Sequence, residues 1–258
     1  MALAVTAALS LGVGVIASAV AFTAKVGNLI VTFEADGVPR KLPRNDYTPA
    51  ATTISGKIKA DDGTHPSALR EVIVAIDKDV KLNVKGLPVC KAGELVARDT
   101  KGALKVCGDT ELGSGIAHAE IAFPEQPPIV VASPLKIFNG GEKGGKIKLL
   151  IHSFITVPVP AAIVTDVTVT RKGSGIHSVG RIPVIAGGSG SAIDFRFKIG
   201  KTYSYKGKKV GYGEGKCPDG VFKVNVSKML FKNETQVPGV PATTQVKGSV
   251  VVPCTPKG

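Results

Sequence analysis

Long heptad stretches are missing from this 258-residue sequence, and its 31 glycines and 17 prolines follow no G-X-Y period. A coiled coil and collagen are thereby excluded. Charged residues are scarce at 21%, against 43% hydrophobic, which is the wrong balance for a disordered tail. No C-x-x-C pair, nucleophile elbow or dinucleotide loop occurs, so no cofactor is implied and no catalytic residue is assigned. What is present is a turn-rich globular chain, long enough to bury one large core or two modest ones.

Charge is also absent from residues 2–24, which surround an apolar centre of Leu9, Leu11, Val13, Val15 and Ile16. Ala17-Ser18-Ala19 and Ala19-Val20-Ala21 follow as A-x-A patterns that a signal peptidase accepts, so residues 1–24 read as an export leader. No Lys or Arg precedes the apolar centre, and a retained N-terminal membrane anchor is the rival reading. Export and an even cysteine count favour two disulfides. Of the three pairings, proximity favours Cys90 with Cys107 and Cys217 with Cys254. His65, His118, His152 and His177 lack the spacing that zinc would need beside these cysteines, so no metal is expected.

Residues 25–51, with Pro39, Pro43 and Pro49, read as a linker or N-terminal strand. From Thr52 onward short β-type runs recur, among them 53–59, 71–77, 116–123, 129–131, 135–138, 146–155, 163–170, 182–185, 192–199, 221–226 and 245–252. Asn139-Gly140 is a hairpin signal, because both residues tolerate positive φ. Residues 91–107 read as one short helix between Cys90 and Cys107, although Gly102 costs it about 1 kcal/mol relative to alanine. The expected fold is mainly β, an antiparallel β-sandwich over 52–258, with a subdivision near 125–128 left open.

Lys85-Gly86-Leu87-Pro88 before Cys90, Phe123-Pro124, Phe138-Asn139-Gly140, Ile182-Pro183-Val184-Ile185-Ala186-Gly187-Gly188, Tyr205-Lys206-Gly207-Lys208-Lys209 and Cys217-Pro218-Asp219-Gly220 occur in that order. Over residues 52–231 the chain resembles a group of uncharacterised secreted β-rich proteins of actinobacterial soil lineages, which have no assigned activity. The resemblance implies an exported bacterial β-protein and carries over no catalytic residue. The chain departs from such proteins in its leader, which lacks the usual basic start.

The net charge of +13 is uneven: residues 1–125 hold 14 basic and 14 acidic side chains, residues 126–258 hold 19 and 6. Arg196, Lys198, Lys201, Lys206, Lys208, Lys209 and Lys216 are the candidate contacts for an anionic polymer, within a stretch where Phe195, Phe197, Tyr203 and Tyr205 read as core. Positive charges within a Debye length of about 8 Å add their potentials, and lysine favours diffuse contact over bidentate recognition. The bland reading makes the same lysines edge-strand gatekeepers and solubilisers.

Other motifs point to structure. Ser114 and Ser189 lie between glycines, but the second candidate elbow closes on Ser191 instead of glycine. His118 and Glu120 share a strand face without a third ligand, and Asp61, Asp62 and His65 lack the ligand pattern of a calcium loop. Gly187-Gly188-Ser189-Gly190 reads as a tight strand connection. Asn225-Val226-Ser227 and Asn233-Glu234-Thr235 fit the glycosylation pattern, which a bacterial source would leave unmodified.

The sequence thus points to a non-enzymatic protein of the cell envelope or extracellular space, its basic C-terminal half touching an anionic envelope polymer or membrane surface, with no specific nucleic acid as partner. The alternative is a secreted hydrolase or carbohydrate-active enzyme whose carboxylates, such as Glu71, Asp77, Glu120 and Asp166, converge only in the fold. Self-association through edge strands is a third expectation.

Overall fold

The computed structural model describes residues 20–173 and 175–258. The leader's apolar centre and its Ala17-Ser18-Ala19 motif lie outside the described residues. In chain order the elements are β1 (Val20–Val26), β2 (Leu29–Val38), β3 (Lys41–Pro43), β4 (Thr48–Pro49), β5 (Ala51–Ala60), β6 (Ala68–Asp77), β7 (Val80–Leu82), α1 (Ala92–Leu95), α2 (Thr100–Cys107), β8 (Glu111–Phe123), β9 (Gln126–Lys143), β10 (Lys146–Ile155), β11 (Ala161–Lys172), β12 (Gly175–Arg181), β13 (Gly190–Ile199), β14 (Thr202–Tyr205), β15 (Lys208–Gly211), β16 (Gly213–Gly215), β17 (Val221–Lys232), β18 (Thr243–Pro253) and β19 (Thr255–Lys257). The structure is mainly β, with 64% of the described residues in strands.

Twelve strands join one sheet in the order β1-β2-β5-β13-β8-β9-β10-β11-β12-β6-β17-β18. The sheet curls until its two edges meet. Phe22 of β1 lies so near Gly248 of β18 that a Cβ there would sit 2.5 Å from the ring, yet among the described residues no ladder joins β1 to β18. Strand spacing suggested two stacked sheets; the strand order gives one continuous, nearly closed antiparallel sheet, and the sandwich is not confirmed.

Alternation explains the seam. On β2, Leu29, Val31, Phe33 and Ala35 point inward, and on β17 and β18 Val224, Val226, Met229, Phe231, Val246 and Val250 meet them. Each buried Val, Leu, Met or Phe among them contributes about 1.5–3 kcal/mol relative to exposure. The same alternation includes Phe22 and Ala24, so β1 begins inside the segment read as leader, and residues read as linker supply β2, β3 and β4. Residues 125–128 form the turn and start of strand that join β8 to β9 within the same sheet.

Prolines mislead in two places. Residues 129–131 and 135–138 belong to a single strand, β9, that runs through Pro134. Proline cannot donate to the ladder, and the Ser133 hydroxyl replaces it, accepting from Phe154 N at 2.9 Å and donating to Phe154 O at 3.0 Å. Residues 182–185, expected as a strand, form a loop with one isolated bridge from Ile185 to Gly190; the Pro183 carbonyl is taken by Arg70.

Asn139-Gly140 is likewise not the hairpin turn. Asn139 is fully buried, donates to Pro88 O at 2.8 Å and accepts from Gly141 N at 3.0 Å, while the register of β9 against β10 shifts between Ile147 and Leu149. The turn comes later, at Gly144 and Gly145, both with positive φ.

The helical segment lies between Cys90 and Cys107, as two pieces, α1 and α2. Asp99 caps α2 by accepting from Gly102 N at 2.7 Å, and a Cβ on Gly102 would come within 3.0 Å of that carboxylate. Here the absent side chain suits the cap. Leu95 and Ala103 cover Phe138 and Leu150 on the outer face of β9 and β10, so those strands are buried on both faces. Both expected disulfides form, Cys90–Cys107 across 17 residues and Cys217–Cys254 across 37. Loop closure assigns them about 3 and 4 kcal/mol.

Candidate functional site

One end of the curled sheet gathers four turns that are far apart in sequence. The β9–β10 turn carries Lys143 and Lys146, which face each other across the hairpin, and Lys146 also pairs with Thr170 of β11. The β11–β12 turn beside it carries Arg171 and Lys172. The segment after β7 brings Lys85, and the β14–β15 hairpin docks on that segment: the Tyr203 hydroxyl donates to Lys85 O at 3.0 Å and to Asn83 O at 3.3 Å. Gly86 is required there, since a Cβ would fall 2.2 Å from the Tyr205 ring. Next to Tyr205 the tip exposes Lys206, Lys208 and Lys209, with Lys206 itself at φ +50°. Among the described residues none of these eight cations enters an ion pair. Glu142 is the acid placed among them.

Two concavities flank the β9–β10 turn. Inside the mouth of the sheet, a pocket of about 320 Å³ has Leu82, Val84, Ile147, Val169 and Ile176 as its apolar lining, with Lys85, Glu142, Thr170 and Arg171 among its polar residues. Outside, an open groove of about 720 Å³ runs over Gly140, Gly141 and Gly144, with Val89 and Lys143, Lys146 and Lys148 beside it. Lys148 is held to Asp166 at 3.1 Å. Val84, Val169 and Ile176 belong to the same packed cluster as Tyr212, whose buried hydroxyl has no hydrogen-bond partner among the described residues and whose pKa burial drives far above that of an ordinary phenol.

The seven residues singled out from the sequence are divided by the fold. Lys206, Lys208 and Lys209 stand at the basic end. Lys201 donates to Asp109 O at 2.6 Å. Lys216 is spent on Asp79 at 3.4 Å and lies 5.4 Å from the Tyr47 ring centre, a face shared with Lys81 at 3.5 Å. Arg196 and Lys198 point outward from β13, opposite Ser55 and Thr53. The sequence reading missed Lys85, Lys143, Lys146, Arg171 and Lys172. A signal was there: Lys85-Gly86, Lys143-Gly144, Lys172-Gly173 and Lys206-Gly207 each set a lysine beside the glycine of a turn.

At the opposite end a second constellation forms. Ser191 of β13 lies across from Glu120 of β8, and His65, from the loop before β6, bridges them. His65 Nδ1 is 2.7 Å from Glu120 Oε1, and Nε2 is 3.1 Å from Ser191 Oγ. That is the order of a nucleophile, a base and an orienting acid. However, Ser191 is 1% exposed and its hydroxyl donates to Pro66 O at 2.6 Å. Nearby on the same face His118 pairs with Asp194 at 2.7 Å, which separates it from Glu120.

The remaining candidates are spent structurally. Glu71 lies between Arg181 and Lys228, and the Lys228 hydrogen bond holds its carboxyl below the usual range. Asp77 accepts from the Asp79 and Lys223 backbone, and Asp166 faces Lys148, so these carboxylates do not converge on one cleft. Asp62 accepts from Thr64 and Asn28, which lowers its pKa, and Asp61 pairs with Lys25. Asn233 is engaged with Val237 and Val240, whereas Asn225 faces outward on β17. Cys90, Glu94 and Cys107 approach as metal ligands would, but the two sulfurs are bonded to each other.

Among the described residues no helix is long and apolar enough to cross a membrane. The two disulfides suit an oxidising, extracellular-type environment. No family model, curated protein or solved structure matches the chain.

Proposed function

We propose that this is an exported, non-enzymatic binding protein whose basic end holds anionic polymers of the cell envelope, with no nucleic acid and no metal in the contact. One observation carries the reading: four separate turns place their cations together at one end and, among the described residues, leave them without carboxylate partners. A basic surface near an anionic layer gains about 1 kcal/mol per cation, so several tips hold a polymer reversibly. The outer groove beside Lys143 and Lys146 is open to solvent, as contact with a polymer requires. Retention on poly(glycerol phosphate) should fall steeply with salt, as binding that releases counterions does. In K143Q/K146Q/R171Q/K172Q it should fall at least tenfold at low salt. Salt-insensitive retention, or none, defeats the reading.

A second reading, hydrolysis by Ser191 with His65 and Glu120, is supported by their two short contacts and opposed by the burial of Ser191. Turnover of p-nitrophenyl acetate that disappears in Ser191→Ala would favour it over the first.

A further inference from the structure

The mouth pocket differs from the groove outside it in chemistry. We propose that it takes the hydrocarbon tail of a single-chain anionic amphiphile, its carboxylate or phosphate head resting at Lys85 and Arg171; this rests on the binding reading of the basic end and names what the inner site accepts. Five aliphatic side chains line the pocket, Leu82, Val84, Ile147, Val169 and Ile176. A sugar or a bare polyanion would find no hydrogen-bonding partner on them. The volume of about 320 Å³ is at the small end for ligand sites. At about 30 Å³ for a group the size of water, it holds roughly ten such groups. A medium-length alkyl chain has that bulk.

Charge selects the head. Lys85 and Arg171 both belong to the pocket, neither enters an ion pair among the described residues, and Arg171 can grip a carboxylate or phosphate with two parallel hydrogen bonds. Glu142 is the opposing charge. It sets a direction that can be tested, because its removal should tighten binding of an anionic head and leave a neutral one unchanged.

Calorimetry with decanoate, decanol and decyltrimethylammonium on the full disulfide-bonded protein tests the assignment. Decanoate should bind at least tenfold more tightly than decanol, and the cationic analogue should not bind. K85Q/R171Q should lose that tenfold preference while retaining decanol affinity, and Glu142→Gln should strengthen decanoate alone. Val169→Phe, which fills the lining, should abolish both; if it does not fold, the three exposed-residue substitutions decide the matter. Vesicles of an anionic phospholipid form a further arm: sedimentation with vesicles but no binding of free decanoate overturns a soluble single-chain ligand. Equal affinity for decanoate and decanol overturns the role of the cations. Poly(glycerol phosphate) retention without decanoate binding overturns this inference alone, whereas decanoate binding without polymer retention sinks the polymer reading and leaves the pocket standing.

Discussion

The two ends of the curled sheet treat charged groups in opposite ways. At the end opposite the basic turns, Arg70 is buried with both Glu234 oxygens and the Pro183 carbonyl around it, His65 is clamped between Glu120 and Ser191, and Asn233 closes its own loop. Its exposed apolar residues include Val157, Val159 and Val184. At the basic end, Lys143, Lys146, Arg171 and Lys172 are exposed and none forms an ion pair among the described residues. A paired buried charge fixes a loop; an unspent exposed one leaves its field available to something else. One end therefore holds the fold together, and the other is suited to contact.

The sharpest way to break this contrast is to remove one charge from each end. Arg70→Ala should cost about 3–5 kcal/mol, because Glu234 loses its buried partner, and urea unfolding would measure it. Lys172→Gln should stay within about 0.5 kcal/mol in the same experiment. Comparable losses at both ends would remove the distinction.

A smaller effect concerns the helical cap. His152 is buried, it contacts Arg98 O through Nε2 at 2.9 Å, its Nδ1 has no partner among the described residues, and burial lowers its pKa from 6.5. The unfolded chain then takes up a proton before the folded one does. Stability is complete above about pH 6.5 and is lost as pH falls below it, by at most about 1.4 kcal/mol per unit until the folded pKa is reached. Denaturation midpoints between pH 7 and 5 should show this slope, and His152→Gln should flatten it. A modest loss is expected from Ser191→Ala, which removes one buried hydroxyl: about 1 kcal/mol, and no change in polymer retention.

Much of the frame was legible. Alternation of Val167 and Val169 with threonines, and again along β17 and β18, located strands because an inner face of each is buried, whereas Val164 lies on the other face of β11, against the helical segment. Spacing alone favoured both disulfides, and the helical segment fell between the first pair of cysteines. Hidden from local reading was whatever depends on distant partners. Strand β9 survives Pro134 only because Ser133 reaches Phe154, and β12 has too short and mixed a pattern to stand out beside β6 and β11. His65 and Ser191 are 126 residues apart, and nothing local to either announces the other. The basic end was half visible, since composition flagged Lys206–Lys209 but the other turns contribute only one or two cations each.

The seam between β1 and β18 bears on how the protein is made. Phe22 and Gly248 come from the first and last strands of the sheet, so the apolar face of β2 cannot be covered until β17 and β18 have emerged from the ribosome. Closure waits for the last strand of the sheet: a chain synthesised only as far as β16 exposes Leu29, Val31 and Phe33, and the seam can form only once β18 is available.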